Sequence, residues 1–187
     1  MIAAITFGAT GIGDEKRRRE MARNARVMHC TPEDVFDVLA DGWLYPSWVV
    51  GASRMRDVDE DWPRPGARLH HSIGVWPMLI NDETVAEEFE PPRAMVMRAT
   101  GWPVGEARVT LHVKPRGSHT IVRMQEEAIA GPARYVPRAI MDIMLQWRNA
   151  ETLRRLAFLA EGRASGRAGE PVTPSAIPAD GSEMPAS

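Results

Sequence analysis

The stretch PRAIMDIMLQWRNAETLRRLAFLAEG, residues 137–162, carries the longest helical periodicity in the chain. Leu145, Asn149, Leu153, Leu156 and Ala160 recur at intervals of three and four, which aligns them on one face of an α-helix. Ile140, Met144 and Trp147 fall on another face. The first turns are therefore apolar nearly all round, as suits a helix that packs on one side and lines a pocket on the other. Beyond Gly162, residues 163–187 are rich in Ala, Gly, Pro and Ser and contain no aromatic residue. They are expected to form a disordered tail.

Ahead of this helix the chain reads as strands. Ala52–Val58, Arg68–Ile73, Asn81–Phe89, Ala94–Thr100, Glu106–Val113 and Thr120–Ile129 are separated by Pro- and Gly-bearing turns. Such short connections favour antiparallel neighbours. Alternation predicts Val109, Leu111 and Val113 on one sheet face, and Thr120, Val122 and Met124 on one face of the next strand. A first strand is expected over Arg23–Cys30. Thr31-Pro32-Glu33-Asp34 then starts a helix, with an N-cap Thr, Pro at the first helical position and acids in the first turn. Trp43–Val50, broken by Pro46, reads as a second short helix or turn closing one end.

This order predicts an α+β helix-grip fold: a curved antiparallel sheet of about six to seven strands around a long C-terminal helix, with two short helices after the first strand. The space between such a sheet and its helix is usually a cavity.

The chain of 187 residues is 44% hydrophobic and 26% charged, which fits one domain over 21–162 with loose ends. A net charge of −2 gives no global attraction to nucleic acid. No apolar run reaches the roughly 18–20 residues that span a bilayer, so no stable membrane insertion is expected. The lone cysteine, Cys30, fits a reducing, cytoplasmic setting. Met (11) and Trp (6) are frequent, as in a roomy apolar pocket or in a chain shaped by biased codon use. Residues 1–20 include Gly8-Ala9-Thr10-Gly11-Ile12-Gly13 after a strand-like run, as in a dinucleotide-binding turn. The charged Asp14–Glu20 that follows has no apolar face to pack on a sheet. A flexible extension is expected there, and no cofactor.

The segment Thr31-Pro32-Glu33-Asp34-Val35-Phe36-Asp37-Val38-Leu39-Ala40-Asp41, then Trp48-Val49-Val50-Gly51, resembles the SRPBCC superfamily. These are the START-like helix-grip proteins labelled polyketide cyclase/dehydrase and lipid-transport proteins. Trp62-Pro63-x-Pro65-Gly66-x-x-Leu69-His70, Gly117-x-x-Thr120-x-Val122-x-Met124-x-Glu126 and Arg148-Asn149-x-Glu151-x-Leu153-x-Arg155-Leu156 extend the resemblance over about 21–162. It implies a cavity for apolar or aromatic ligands. The family includes carriers, hormone and lipid binders, polyketide aromatase/cyclases and oxygenase domains, and has no shared catalytic triad.

His71 shares a strand parity with Leu69 and Ile73, Glu87 with Val85 and Phe89, and Glu126 with Val122 and Met124. His71 and Glu87 flank the Gly74–Ile80 turn and are expected to meet across a hairpin. Such a pair is a candidate general acid/base, or a buried structural contact. Candidate ligand-binding residues on the strands are Leu69, Val85, Met97, Val109 and Glu126. On the helical segments and the turns they are Trp48, Trp76, Met141, Met144, Leu145 and Asn149. Trp102 is a further candidate wall. Adjacent His70 and His71 point to opposite faces and cannot share one ion, so no metal site is expected. The expected function is binding of a small hydrophobic or aromatic molecule, lipid- or polyketide-like. The alternative is a polyketide cyclase/dehydratase in the same cavity. Partners are that molecule and, at most, a second copy in a homodimer.

Overall fold

The computed structural model describes residues 24–101, 105–131 and 138–169. The extension expected over residues 1–20, the tail beyond Gly169 and Trp102 lie outside the described residues. In chain order the elements are β1 (Asn24–Met28), α1 (Pro32–Ala40), a 3-10 turn (Gly42–Leu44), α2 (Tyr45–Trp48) and β2 (Ala52–Val58). There follow β3 (Arg68–Val75), β4 (Met78–Glu90), β5 (Ala94–Gly101), β6 (Gly105–Arg116), β7 (His119–Ala130) and α3 (Arg138–Gly169). The strands form one antiparallel sheet in the order β1-β7-β6-β5-β4-β3-β2, open between β1 and β2. Strands β2 to β7 form a meander, with residues 59–67 joining β2 to β3 and short turns joining the later strands. Strand β1 pairs with β7 instead, because α1 and α2 carry the chain from one sheet edge to the other. This is the expected helix-grip arrangement.

Helix α1 starts where the sequence places it. The Thr31 hydroxyl accepts from the Asp34 N–H at 3.3 Å, and the Thr31 N–H donates to the Asp34 carboxylate at 2.8 Å. This reciprocal cap is worth about 1 kcal/mol. Gly42 follows because nothing larger fits: a Cβ there would stand 2.6 Å from Leu69 Cδ2 and 2.8 Å from Val58 Cγ1.

Alternation puts Leu69 and His71 of β3 on the concave face, with Met97 of β5, Val109, Leu111 and Val113 of β6, and Thr120, Val122 and Met124 of β7. The face of α3 read from the sequence is inward too: Asn149, Leu153, Leu156 and Ala160 are buried and Leu145 is half-buried. Helix α3 packs against α1, α2, β1 and β7. No helix among the described residues is long and apolar enough to cross a membrane.

Strand β4 departs from the expected parity. Asp82, Thr84 and Ala86 are its buried residues, and a bulge between Ala86 and Glu88 reverses the alternation before Phe89. One extra residue flips every side chain beyond it to the other face. Phe89 is inward, against Phe36 at 5.5 Å between ring centroids, but Val85 and Glu87 face outward.

Helix α3 also continues past the expected boundary at Gly162, to Gly169. Arg163 donates to the Asp37 carbonyl and to the Asp41 carboxylate, at 2.6 and 3.0 Å. Arg167 pairs with Asp34 and Asp37 of α1. These basic side chains meet the acids of α1, so the Ala/Gly-rich composition of 163–169 does not leave the segment unpaired. A chain ending at residue 162 should be less stable than one ending at 169 by about 1–3 kcal/mol, because Asp34 is buried and loses its cation. Thermal unfolding of the two truncations checks this. Equal midpoints would show that the pairs contribute nothing.

Candidate functional site

On the concave face the polar groups converge near α2. Thr84, fully buried on β4, lies opposite Leu69 of β3, and its hydroxyl is shared by two side chains. Tyr45 Oη stands 2.9 Å from Thr84 Oγ1, and His71 Nε2 stands 3.0 Å from the same oxygen. The His71 ring lies tilted on the Tyr45 ring at 4.9 Å, and Trp48 meets Tyr45 edge-on at 5.4 Å. Short helix α2 brings Tyr45 and Trp48 over the sheet. Strands β3 and β4 supply the other two groups of the chain.

The hydroxyl protons of this chain can run in either direction. In one, Tyr45 donates to Thr84 and Thr84 donates to His71 Nε2. In the other, Nε2–H donates to Thr84 and Thr84 donates to Tyr45, leaving the phenol proton free. In both, His71 Nδ1 makes no hydrogen bond of ordinary geometry among the described residues, although it is buried and the residue is only 2% exposed; the Ser72 backbone lies close enough to favour its protonated form. Burial pushes the proton affinity of His71 down, with the Asp82 charge opposing part of that shift. Burial pushes the Tyr45 phenol up to about 12, against the Thr84 hydrogen bond. Near neutral pH the three groups therefore form an uncharged hydrogen-bonded chain.

Charged groups ring it. Asp82 lies directly opposite His71 in the β3–β4 register and receives a hydrogen bond from Thr100 at 2.6 Å. Glu126 of β7 forms a close ion pair with Arg148 of α3. Arg148 also donates to Asn149 Oδ1 at 3.4 Å. Asn149 is fully buried, and its Nδ2 has no partner among the described residues. The charges of Arg148, Asp82 and Glu126 all act on the Tyr45 phenol.

Two rows of side chains cross the sheet beside this cluster. Ala86, Met97, Val109 and Glu126 are successive register partners. So are Leu69, Thr84, Ala99 and Ala107. Met97 and Val109 are buried, but the small Ala99 and Ala107 are only half-buried. At that end the concave face is lined by short side chains and is not fully covered.

Of the residues singled out in the sequence, Trp48, Leu69, His71, Met97, Val109 and Asn149 are buried between the sheet and the helices, and Glu126 and Leu145 are half-buried. Other predicted residues are placed differently. His71 and Glu87 form no pair, since the tight β3–β4 hairpin puts Asp82 opposite His71 and leaves Glu87 beyond the residues paired with β3. Glu87 lies on the convex side, where Arg108 binds it at 2.7 Å and Arg98 at 3.3 Å and holds its carboxyl below the usual range. Val85 shares that outer face with its register partners Arg68 and Arg98. Trp76 stands 84% exposed at the tip of the β3–β4 hairpin and is no buried wall. The side chains of Met141 and Met144 lie outside the described residues. Asn149 Oδ1 accepts from the neighbouring Arg148 side chain.

Tyr45, Thr84, Asp82 and Arg148 are not among the candidate catalytic or ligand-binding residues read from the sequence. Parity favours Val85 and Phe89 as the apolar side of β4 and so hides Thr84. Tyr45 reads as part of an aromatic plug.

A concave sheet gripping one long helix, with a short polar chain set in an apolar face, defines a helix-grip protein. A family model described as polyketide cyclase / dehydrase and lipid transport matches residues 20–161. The chain belongs to that family. Among solved structures it is similar to the di-domain ARO/CYC StfQ from the steffimycin biosynthetic pathway, with a TM-score of 0.61 and 12% identity. That match covers 83% of this chain and 55% of StfQ. A protein of Nitrosomonas europaea aligns with a TM-score of 0.60 and 14% identity, over 78% of this chain and 97% of its own. One of Chromobacterium violaceum aligns with a TM-score of 0.55 and 19% identity, over 74% and 96%. No curated protein matches the sequence.

Proposed function

We propose that this protein binds a small hydrophobic or aromatic molecule, lipid- or polyketide-like, between its sheet and α3. The polar end of that molecule meets the Tyr45–Thr84–His71 chain. The observation that carries this reading is His71 Nδ1, a buried ring nitrogen on an apolar face with no well-formed hydrogen bond among the described residues. A buried polar atom left unpaired costs about 1–3 kcal/mol, and a ligand hydroxyl or carbonyl relieves that cost. Asn149 Nδ2, also unpartnered among the described residues, adds a second donor on the helix side. The half-buried Ala99 and Ala107 support space beside Thr84. Affinity then comes from apolar burial, at about 25 cal/mol per Å², and orientation from the polar chain.

Native mass spectrometry of the purified protein tests for a co-purified ligand. An anilinonaphthalene sulfonate dye tests the space itself. The dye should bind saturably, and Val109→Trp should weaken it at least about tenfold while overpacking costs about 1–3 kcal/mol of stability. Unchanged dye affinity in a folded Val109→Trp protein would move the ligand elsewhere.

A second reading is favoured by the direction in which the chain can run. With Nδ1 bare and the phenol proton free, His71 is set to take a proton from a carbon beside a carbonyl. Tyr45 then gives its proton to the carbonyl oxygen being attacked. Thr84 refills Tyr45, and Nε2–H refills Thr84. One C–H bond breaks, one C–C bond forms, and His71 is left neutral in its other tautomer. This is the proton balance of an aldol cyclisation. It agrees with the family description and with the ARO/CYC assignment of StfQ.

A further inference from the structure

The outward face of α3 takes no part in that site. Trp147 is 70% exposed and Phe158 76% exposed. They are eleven residues apart and lie within about 20° of one another around the helix axis. Between them on the same side run Glu151 and Arg154, paired at 2.6 Å, with Arg155 also on Glu151 at 2.8 Å. Exposed Ala150 leaves a low point in the stripe. Two large aromatic side chains open to water on one helix face mark a contact surface.

The spacing of this stripe is self-complementary. Trp147 and Phe158 share a midpoint with Glu151 and Arg154, between Thr152 and Leu153. A two-fold axis through that midpoint lays a second α3 antiparallel on the first. Each Trp147 then meets the partner's Phe158, and each Glu151 meets the partner's Arg154. A two-fold interface requires one surface to match itself in this way. We propose that a second copy of this chain docks here, forming a homodimer through antiparallel pairing of α3. The contact is one helix wide, at the small end of stable interfaces, below about 1,200 Å². The dimer is accordingly a weak one that exchanges with monomer.

The charges give the test. Glu151→Arg puts Arg opposite Arg in the homodimer, and Arg154→Glu puts Glu opposite Glu. Mixing the two variants restores opposite charges at both crossings. Sedimentation velocity of the full chain should show a concentration-dependent dimer. Each variant alone should dimerise at least about tenfold more weakly, and the equimolar mixture should recover dimer as a heterodimer. Circular dichroism confirms that each variant keeps its helix, and Trp147→Ser/Phe158→Ser should be monomeric alone and in the mixture. A wild-type monomer up to about 0.5 mM, a range that captures weak interfaces, would overturn the proposal. So would two folded variants that do not recover dimer on mixing.

Discussion

Thr84→Val is expected to destabilise the protein by about 2–4 kcal/mol, far more than the loss of one hydroxyl ordinarily costs. The reason is geometric. Thr84 Oγ1 is the shared partner of Tyr45 Oη and His71 Nε2, so its removal strands two buried polar atoms at once. Tyr45→Phe removes only an end of the chain and leaves Thr84 bonded to His71. It should cost about 0.5–1.5 kcal/mol. The double variant should cost less than the sum of the two, because the stranded phenol is no longer there. Denaturant unfolding of the three variants checks the pattern. Additive losses would mean that Tyr45 and Thr84 are not coupled.

The second large effect is with pH. Burial makes folded His71 bind a proton less readily than the unfolded chain, whose histidine titrates near 6.5. As pH falls through that value the unfolded state takes up the proton first. Stability is therefore full above about pH 6.5 and is lost as pH falls toward the lower, folded value. The expected slope approaches about 1.4 kcal/mol per pH unit for one proton. Unfolding measured in steps below pH 7 for wild type and for His71→Gln should differ by that slope, with the wild type steeper. Parallel curves would mean that His71 is charged in the folded state.

Much of this architecture is legible in the sequence because local signals and the global fold agree. Thr31 caps α1, the turn residues separate short strands, and alternation on β6 and β7 matches their burial. The apolar face of α3 is written in Leu153, Leu156 and Ala160. The site is less legible. The bulge at Ala86–Glu88 inserts one residue with no signature of its own, so Phe89 is inward without Val85 and Glu87 sharing its face. Thr84 is then inward where parity alone favours its neighbours. Tyr45 and Arg148 become site residues only through tertiary contact, since nothing local in YPSW or RNAE marks a partner on a distant strand. The end of α3 is hidden for a related reason. Arg163 and Arg167 are anchored by acids more than a hundred residues earlier in the chain.

A ligand seated against His71 between the sheet and α3 should be visible at the imidazole itself. Long-range proton–nitrogen NMR of the histidine rings, recorded while the anilinonaphthalene sulfonate dye is titrated, tests it most directly. The His71 Nδ1 signal should move and saturate with the affinity seen by dye fluorescence, while His112 on the exposed side of β6 stays still. Saturable dye fluorescence with a stationary His71 signal, and movement only at the exposed Trp76 tip, would contradict it.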